Sequence, residues 1–335
     1  MSPISIRRLD HGEGADMDGF QEVYVAAELA EDPVAALYSR EDGISILSGT
    51  DSGRSAAAYG AFAGDRMVGE LMVSLPLLDN LDSARVWIWV DPAHQRRGIG
   101  TKLAAVGHAE VRDAGRHVCQ ATGRIGTDRD NGNVRFARSL GYDVANTEIE
   151  RRLALPFDSD RLDRLEAEAA PRHHDYLLRT VVGPVPAELA ASYVALKNQL
   201  IVEAPSGEME VEAGQDTVAE LAAQDRELVS AGRTRVAAYA LDAAGTVVAY
   251  SVAATSNDSH AHVDQWGTLV DPAHRGHRLG TAVKCGVLRA LSDGFPGKRY
   301  VETTNAETNR HMVAINEALG FEVSQVWGDF QRRLG

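Results

Sequence analysis

Segments with strand-like alternation and segments with helical spacing of apolar residues follow one another in the same order in the two halves of the chain. In the first half, strand-like runs cover residues 3–8, 55–62, 67–75 and 84–90, and helical spacing covers residues 17–29 and about 100–114. In the second half, strand-like runs cover residues 176–182, 235–241, 247–254 and 263–270, and helical spacing covers residues 187–200 and 280–291. The pattern predicts an α/β chain made of two similar domains.

A long internal repeat supports this division. The segment Val90 to His94, which reads VDPAH, recurs as Val270 to His274, and a later Leu-Gly-aromatic tripeptide also recurs. Both spacings are about half of the chain length, which indicates duplication of a whole domain. We predict domains at residues 1–155 and 175–335, joined by a polar connector at residues 156–174 that holds one short helix.

Composition limits the classes of protein to which the chain can belong. Its 335 residues carry 34 basic and 48 acidic side chains, which give a formal charge of −14, and 44% are hydrophobic. The acidic balance argues against nucleic-acid binding and favours cationic partners. No apolar run reaches the length of a membrane span, and Cys119 and Cys285 are too few for a disulfide framework. We therefore expect a cytoplasmic protein that binds neither membranes nor nucleic acids, and leave its oligomeric state open.

The strongest chemical signal is a loop that follows a predicted strand and opens a helix. The first loop consists of Gln95, Arg96, Arg97, Gly98, Ile99, Gly100 and Thr101, and the second loop consists of Arg275, Gly276, His277, Arg278, Leu279, Gly280 and Thr281. Glycines allow a close approach to a ligand, and the first turn of a helix presents unpaired N–H groups to an anion. A plain turn with surface arginines is the alternative for either loop alone. Two copies in the same setting favour a diphosphate site.

These loops resemble the signature of the GNAT superfamily of N-acetyltransferases, Gln/Arg-x-x-Gly-x-Gly/Ala after a strand that ends in Val-x-Pro. The first copy fits in full from Val90 to Gly100, whereas in the second copy Arg278 stands where the first glycine belongs and Gly276 lies two residues earlier. The resemblance covers nearly the whole chain as two consecutive copies. That plan is similar to tandem GNAT enzymes such as mycothiol synthase, without a close match to it. It implies two GNAT-like domains, each with a mixed, mostly antiparallel sheet flanked by helices.

The resemblance also implies a function, the transfer of an acetyl group from acetyl-CoA to a primary amine of a small molecule by direct attack. In the family, backbone N–H groups late in the fourth strand polarise the thioester, and the corresponding residues are Ile88, Trp89, Val90, Thr268, Leu269 and Val270. Asn305 and Asn309 correspond to residues that contact coenzyme A. The tyrosine that usually protonates the leaving thiolate is replaced by Ala137 and Asn316. A non-catalytic acetyl-CoA sensor is therefore the alternative.

Polar strand residues of the second half are the candidates for a general base. His262 and Asp264 share one strand face by two-residue alternation, and Glu302 lies on the next predicted strand. Glu70 is the analogous candidate in the first half. For each of them, a merely solvated or paired side chain, with water as the base, is the alternative. His260 and His262 also suggest a metal site, but no cysteine or carboxylate stands at a zinc spacing, so we predict no metal.

An acidic segment distinguishes the second half. Residues 202–227 carry eight carboxylates and the single basic residue Arg226. A solvated face is the ordinary interpretation of such a run, and an acidic lip for a cationic amine is the functional one. Because the second half also has the fuller asparagine segment, we predict that it is the catalytic half.

Overall fold

The computed structural model describes residues 3–48, 53–256 and 262–335, which divide into two compact units. Unit 1 comprises residues 1–146, 208–210 and 328–335, and unit 2 comprises residues 147–207 and 211–327. The sequence predicts a domain boundary at residue 155. In the structure, residues 147–155 belong to unit 2, and residues 328–335 belong to unit 1. The predicted α/β fold with mostly antiparallel strands is confirmed.

Unit 1 contains a sheet with helices on both faces. Its helices and strands, in chain order, are β1 (Ile4–Arg8), α1 (Gly14–Glu31), α2 (Arg40–Ser48), β2 (Arg54–Ala63), β3 (Arg66–Pro76), β4 (Ser83–Val90), α3 (Ile99–Asp113), β5 (Val118–Arg124) and α4 (Gly132–Ser139). The strands neighbour one another in the order β1-β2-β3-β4-β5, antiparallel as far as β4, with β4 and β5 parallel. Helix α2 was not predicted, because its nine residues carry no clear apolar face.

Unit 2 repeats this arrangement with additional helices. Its helices and strands are β6 (Asp143–Ala154), which enters it at Thr147, α5 (Ser159–Ala169), β7 (Leu177–Val182), α6 (Ala187–Lys197), α7 (Leu200–Glu203), α8 (Val218–Ser230), β8 (Arg233–Leu241), β9 (Val247–Ser256), β10 (His262–Val270), α9 (Leu279–Gly294), β11 (Tyr300–Ala306), α10 (Arg310–Leu319) and the first part of β12 (Glu322–Arg333). Strands β6 to β11 are ordered β6-β11-β10-β9-β8-β7. Strands β10 and β11 are parallel, whereas the pairs β10–β9, β9–β8 and β8–β7 are antiparallel. Helix α5 is the short helix predicted in the connector, and most of α8 lies in the acidic segment.

Apolar stripes on the helices form the cores on both faces of each sheet. In unit 1, Met17 and Phe20 of α1 are buried against Phe62 of β2. In unit 2, one apolar layer lies under α6 and a second lies under α9. Among the helices of the described ranges, none has the length and hydropathy that crossing a bilayer requires.

Candidate active site

Each unit contains two parallel strands that separate towards their carboxyl ends. In unit 1, β4 pairs with β5 as far as Val86 and then continues to Val90. In unit 2, β10 pairs with β11 as far as Gln265 and then continues to Val270. The separation leaves an opening in each sheet, at which backbone groups of the longer strand are available to a ligand.

Backbone N–H groups of β4 face the opening of unit 1. Asp91 N donates to Val68 O on β3 at 3.1 Å. Because N–H groups alternate in direction along a strand, those of Val90 and Ile88 point away from β3 and into the opening, while that of Trp89 points to β3. Two of the three predicted thioester-binding residues of this strand thus present a donor to the opening.

The same alternation holds for β10 in unit 2. Asp271 N donates to Val248 O on β9 at 2.9 Å. The N–H groups of Val270 and Thr268 therefore point into the opening of unit 2, while that of Leu269 points to β9. A donor placed in this way stabilises negative charge that develops on a thioester oxygen.

The two loops share one backbone conformation although their glycines differ. In the first loop, the left-handed positions are Arg96 (φ 61°) and Gly98 (φ 77°), and in the second loop they are Gly276 (φ 87°) and Arg278 (φ 54°). Each loop therefore has two left-handed residues at equivalent positions and a glycine at only one of them. This explains why the second copy departs from the sequence signature without losing the turn that aims backbone N–H groups at an anion.

The side chains of the first loop leave its positive charge available. Gln95 Nε2 donates to Val90 O at 3.2 Å and Arg97 donates to Ala93 O at 3.0 Å, both acceptors lying just before the loop. Arg96 is exposed, and within the described part of the chain no carboxylate pairs with Arg96 or Arg97. Both guanidinium groups can therefore meet a phosphate.

The basic side chains of the second loop are engaged with other groups of unit 2. Arg275 is ion-paired with Glu203 at 2.7 Å, and Arg278 lies 3.7 Å from Glu168. His277 Nδ1 lies 3.0 Å from the carbonyl oxygen of Arg172. An anion at this loop must compete with these carboxylates, which lowers the electrostatic gain from binding.

The second glycine of each loop faces a helix rather than the loop mouth. A Cβ added to Gly100 would lie 3.0 Å from Phe136 Cζ, and one added to Gly280 would lie 3.1 Å from Ile315 Cδ1. These glycines allow α3 and α9 to approach α4 and α10. Their replacement would disturb this packing as well as any ligand.

Four other predicted loop residues differ in exposure. Ile99, Leu279 and Thr281 are buried, whereas Thr101 is exposed. The three buried side chains fix the start of each helix, so their backbone N–H groups rather than their side chains are what a ligand can reach.

The predicted asparagines occupy two different settings. Asn309 caps α10 and accepts a hydrogen bond from Met312 N at 3.2 Å. Asn305, on β11, accepts a hydrogen bond from Asn316 Nδ2 at 2.6 Å, and Asn316 is fully buried. The residue at the usual tyrosine position thus contacts one of the two predicted coenzyme-binding asparagines.

The three predicted catalytic residues of unit 2 lie close together but are paired. Asp264 and Glu302 are register partners on β10 and β11. Asp264 is hydrogen-bonded to Arg233, Glu302 is ion-paired with Arg152, and His262 Nδ1 lies 3.4 Å from Glu302. Burial raises the pKa of Asp264, although Arg233 favours its charged form. All three residues lie where β10 and β11 are still paired, before the opening.

A polar bridge that the sequence did not predict crosses the opening of unit 1. Glu28 of α1 accepts a hydrogen bond from Trp89 Nε1 at 2.8 Å and another from Arg124 at 2.7 Å. Trp89 lies near the end of β4 and Arg124 at the end of β5, so one carboxylate joins the two separating strands. Nothing in the local sequence marks Glu28, since it is one of several acidic residues of an ordinary amphipathic helix.

Two minor predictions concern metals and cysteines. No group of three or more potential ligands for a metal ion is found among the described residues, and His260 lies outside them. Cys119 and Cys285 are both buried, and burial raises the pKa of each thiol. Neither thiol is placed to act as a nucleophile.

Arg278→Gly is expected to raise the free energy of unfolding by roughly 0.5–1 kcal/mol, because a left-handed backbone costs a side-chain-bearing residue energy that glycine does not incur. The lost contact with Glu168 is exposed and contributes little. Urea denaturation of the full chain measures the change, and Gly276→Ala is the matched control with the opposite expected sign. A loss of stability in Arg278→Gly would contradict this account of the second loop.

Comparisons with known proteins agree with this geometry. Residues 18–142 match the Acetyltransferase (GNAT) family. A solved tandem GNAT protein from the clavulanic acid biosynthesis pathway, without AcCoA, is 27% identical, with a TM-score of 0.80 over 99% of this chain and 99% of that chain. A GCN5-related N-acetyltransferase from Sphaerobacter thermophilus shares the fold at 16% identity, with a TM-score of 0.67 over 100% of this chain and 98% of that chain. No curated protein matches the sequence.

The match to the Acetyltransferase (GNAT) family thus lies in unit 1, and the whole chain has the fold of a tandem GNAT protein, as the repeated loops predicted.

Proposed function

We propose that the protein is an N-acyltransferase that uses acetyl-CoA to acetylate the primary amine of a small molecule by direct attack. The observation that carries this proposal is the combination, in each unit, of a strand opening lined by N–H groups with an adjoining loop at a helix N-terminus. The 27% identical structure comes from a small-molecule biosynthesis pathway, which supports a small acceptor. The charge of −14 favours a cationic one and, with the two buried thiols, suits a cytoplasmic enzyme.

The residues present suit coenzyme A, which when bound supplies a thioester carbon open to attack by an amine. The N–H groups at the start of α3, together with Arg96 and Arg97, would hold its pyrophosphate. The N–H groups of Ile88 and Val90 would orient the thioester and stabilise its oxygen as charge develops. Holding the two reactants side by side supplies much of the rate enhancement.

The side-chain contacts of the two loops favour unit 1 over unit 2 as the unit that catalyses the reaction. Its loop arginines have no carboxylate partner within the described residues, whereas Arg275 and Arg278 face Glu203 and Glu168. The family match also covers unit 1. The expectation that the second half is catalytic stays a prediction, and the ion pairs of its candidate bases weigh against it.

Acetyl-CoA turnover by the full chain against a panel of small primary amines tests the proposal. Release of free thiol, together with a gain of one acetyl group in the mass of the amine, is the expected result. A matched panel of alcohols tests whether nitrogen is required. If acetyl-CoA does not bind, the proposal fails altogether.

A sensor that binds acetyl-CoA without turning it over is the second candidate. It is favoured by Ala137 and Asn316 at the two positions where the family usually has a proton-donating tyrosine. Acetyl-CoA that binds with micromolar affinity and stays intact with every amine would support the sensor and contradict the enzyme.

A further inference from the structure

One buried carboxyl group of unit 1 lies outside the hydrogen bonds formed by the described residues. Glu70 of β3 is fully buried, and neither of its oxygens has a hydrogen-bond partner among the described residues. Leaving a buried polar group unpaired is unfavourable, and leaving a buried charge unpaired is more so. Such a group points to a ligand that completes it.

The sheet register places Glu70 beside the opening of unit 1. Gly60, Glu70 and Trp89 are register partners on β2, β3 and β4, so they lie in one row on one face of the sheet. Gly69, the neighbour of Glu70, faces Ile99 of α3, which places Glu70 on the opposite face, under α1. Glu70 is therefore the cross-strand neighbour of Trp89, which lies on the part of β4 that has separated from β5.

The surroundings of Glu70 suit an organic cation. An apolar cluster fills much of the layer under α1 and α2, and Trp89 packs against it. The Tyr24 ring meets the Trp89 ring edge-on, with 5.4 Å between centroids. Aromatic faces next to a carboxylate attract ammonium groups, most strongly where water is excluded.

The carboxylates that α1 and α2 direct into this side of the sheet are already engaged. On α1, Glu28 is bonded to Trp89 and Arg124, and Asp16 is paired with Arg7 of β1 at 2.5 Å. On α2, Asp42 accepts hydrogen bonds from Ser39. None of these groups bonds to Glu70, so a cation that enters the layer has Glu70 as its free counter-ion.

We propose that Glu70 anchors the acceptor amine of unit 1, binding a primary ammonium group against the faces of Trp89 and Tyr24. This inference rests on the proposed function and specifies its acceptor as a small amine with an apolar body that fits an apolar layer. In the free protein, burial disfavours the charged carboxylate and raises the pKa of Glu70 well above its ordinary value. When the ammonium ion binds, the carboxyl proton leaves to solvent and a carboxylate–ammonium pair forms. Direct attack needs the neutral amine, so one ammonium proton passes to the Glu70 carboxylate before the C–N bond forms.

Carboxyl NMR of the full chain, labelled with carbon-13 at the glutamate side chains, tests the proposal with 2-phenylethylamine as the probe. A pH titration of the Glu70 signal, identified by its loss in Glu70→Gln, first gives its pKa in the free protein. Below that pKa, the signal is expected to move from the protonated to the ionised position as amine is added. 2-Phenylethanol, which has the same body without the charge, is expected to leave the signal unchanged. A Glu70 signal that stays at the protonated position when the amine saturates the protein would overturn the proposal.

Affinity measurements give a second readout. Glu70→Gln is expected to weaken binding of 2-phenylethylamine by about 100-fold, the loss of one buried charge-assisted contact. Below the pKa of Glu70, amine affinity of the wild type is expected to rise about tenfold for each pH unit, and Glu70→Gln is expected to lose this dependence. Glu70→Met tests the same loss without a buried amide, and thermal unfolding checks that each variant folds.

Glu110→Gln is the matched control, because Glu110 of α3 lies on the other face of the same sheet, bonded to Tyr59 at 2.5 Å. It is expected to leave amine binding unchanged. Acetyl-CoA binding, measured separately, distinguishes the two failures. If acetyl-CoA binds and is turned over while Glu70→Gln acts like wild type, only the amine site is wrong. If acetyl-CoA does not bind at all, the proposed function is wrong.

Discussion

Replacing Arg96 and Arg97 together by glutamine is expected to weaken acetyl-CoA binding to unit 1 by about 100-fold or more. A hydrogen bond from a charged donor contributes roughly 1.5–3 kcal/mol, and both guanidinium groups are available for the pyrophosphate. The left-handed turn at Gly98 is untouched by these changes, so the backbone N–H groups remain in place. Titration calorimetry of the full chain with acetyl-CoA at two salt concentrations measures the loss, which should be larger at low salt.

Arg275→Gln with Arg278→Gln is the matched control in the second loop. These arginines already face Glu203 and Glu168, so their removal is expected to change affinity at the second site by less than about tenfold. An equal loss of acetyl-CoA affinity in both double variants would show that the ion pairs of the second loop do not reduce its contribution to binding. Unchanged binding in the first double variant would contradict the assignment of its loop to the pyrophosphate.

The backbone of the site could be predicted from the sequence because short-range chemistry determines it. Asp91 and Asp271 each accept a hydrogen bond from the N–H two residues later at 2.8 Å, and the following proline starts a helical turn in both copies. The repeated segment therefore predicts the repeated loop. The position of the glycine was misleading only because either of two left-handed positions can carry it.

The side-chain partners could not be predicted, because they depend on how distant segments pack. Glu28 and Arg124 are 96 residues apart in sequence, and their contact requires α1 to lie over the opening. Likewise, the sequence shows a glutamate, Glu70, among the apolar residues of β3, but it does not show that this carboxyl lacks a hydrogen-bond partner among the described residues. Whether a carboxylate is paired or free is decided by the layer that covers it.

Lys284→Met is expected to raise the free energy of unfolding by several kcal/mol at pH 6 and by much less at pH 9. Lys284 of α9 is fully buried, with Nζ 5.5 Å from the centroid of the Phe321 ring, and no ion pair to it is formed within the described part of the chain. Burial lowers the pKa of Lys284 from 10.5 to about 7. At about 1.4 kcal/mol for each tenfold change in proton affinity, the charged form costs the fold on the order of 5 kcal/mol.

The sign of the pH dependence follows from proton counting. Between about pH 7 and pH 10.5 the unfolded chain holds a proton on Lys284 that the folded protein does not. The stability of the wild type therefore rises with pH in this range. The full cost of burying the charge is present only below about pH 7. Methionine has a similar length, fits an apolar layer and carries no charge, so the gain of Lys284→Met should shrink as pH rises. Urea denaturation at pH 6 and pH 9 measures both values, with Lys102→Met on the exposed side of α3 as the control that should change neither. An equal gain at both pH values would mean that packing rather than charge limits stability at this position, and no gain would mean that the folded protein solvates this ammonium group.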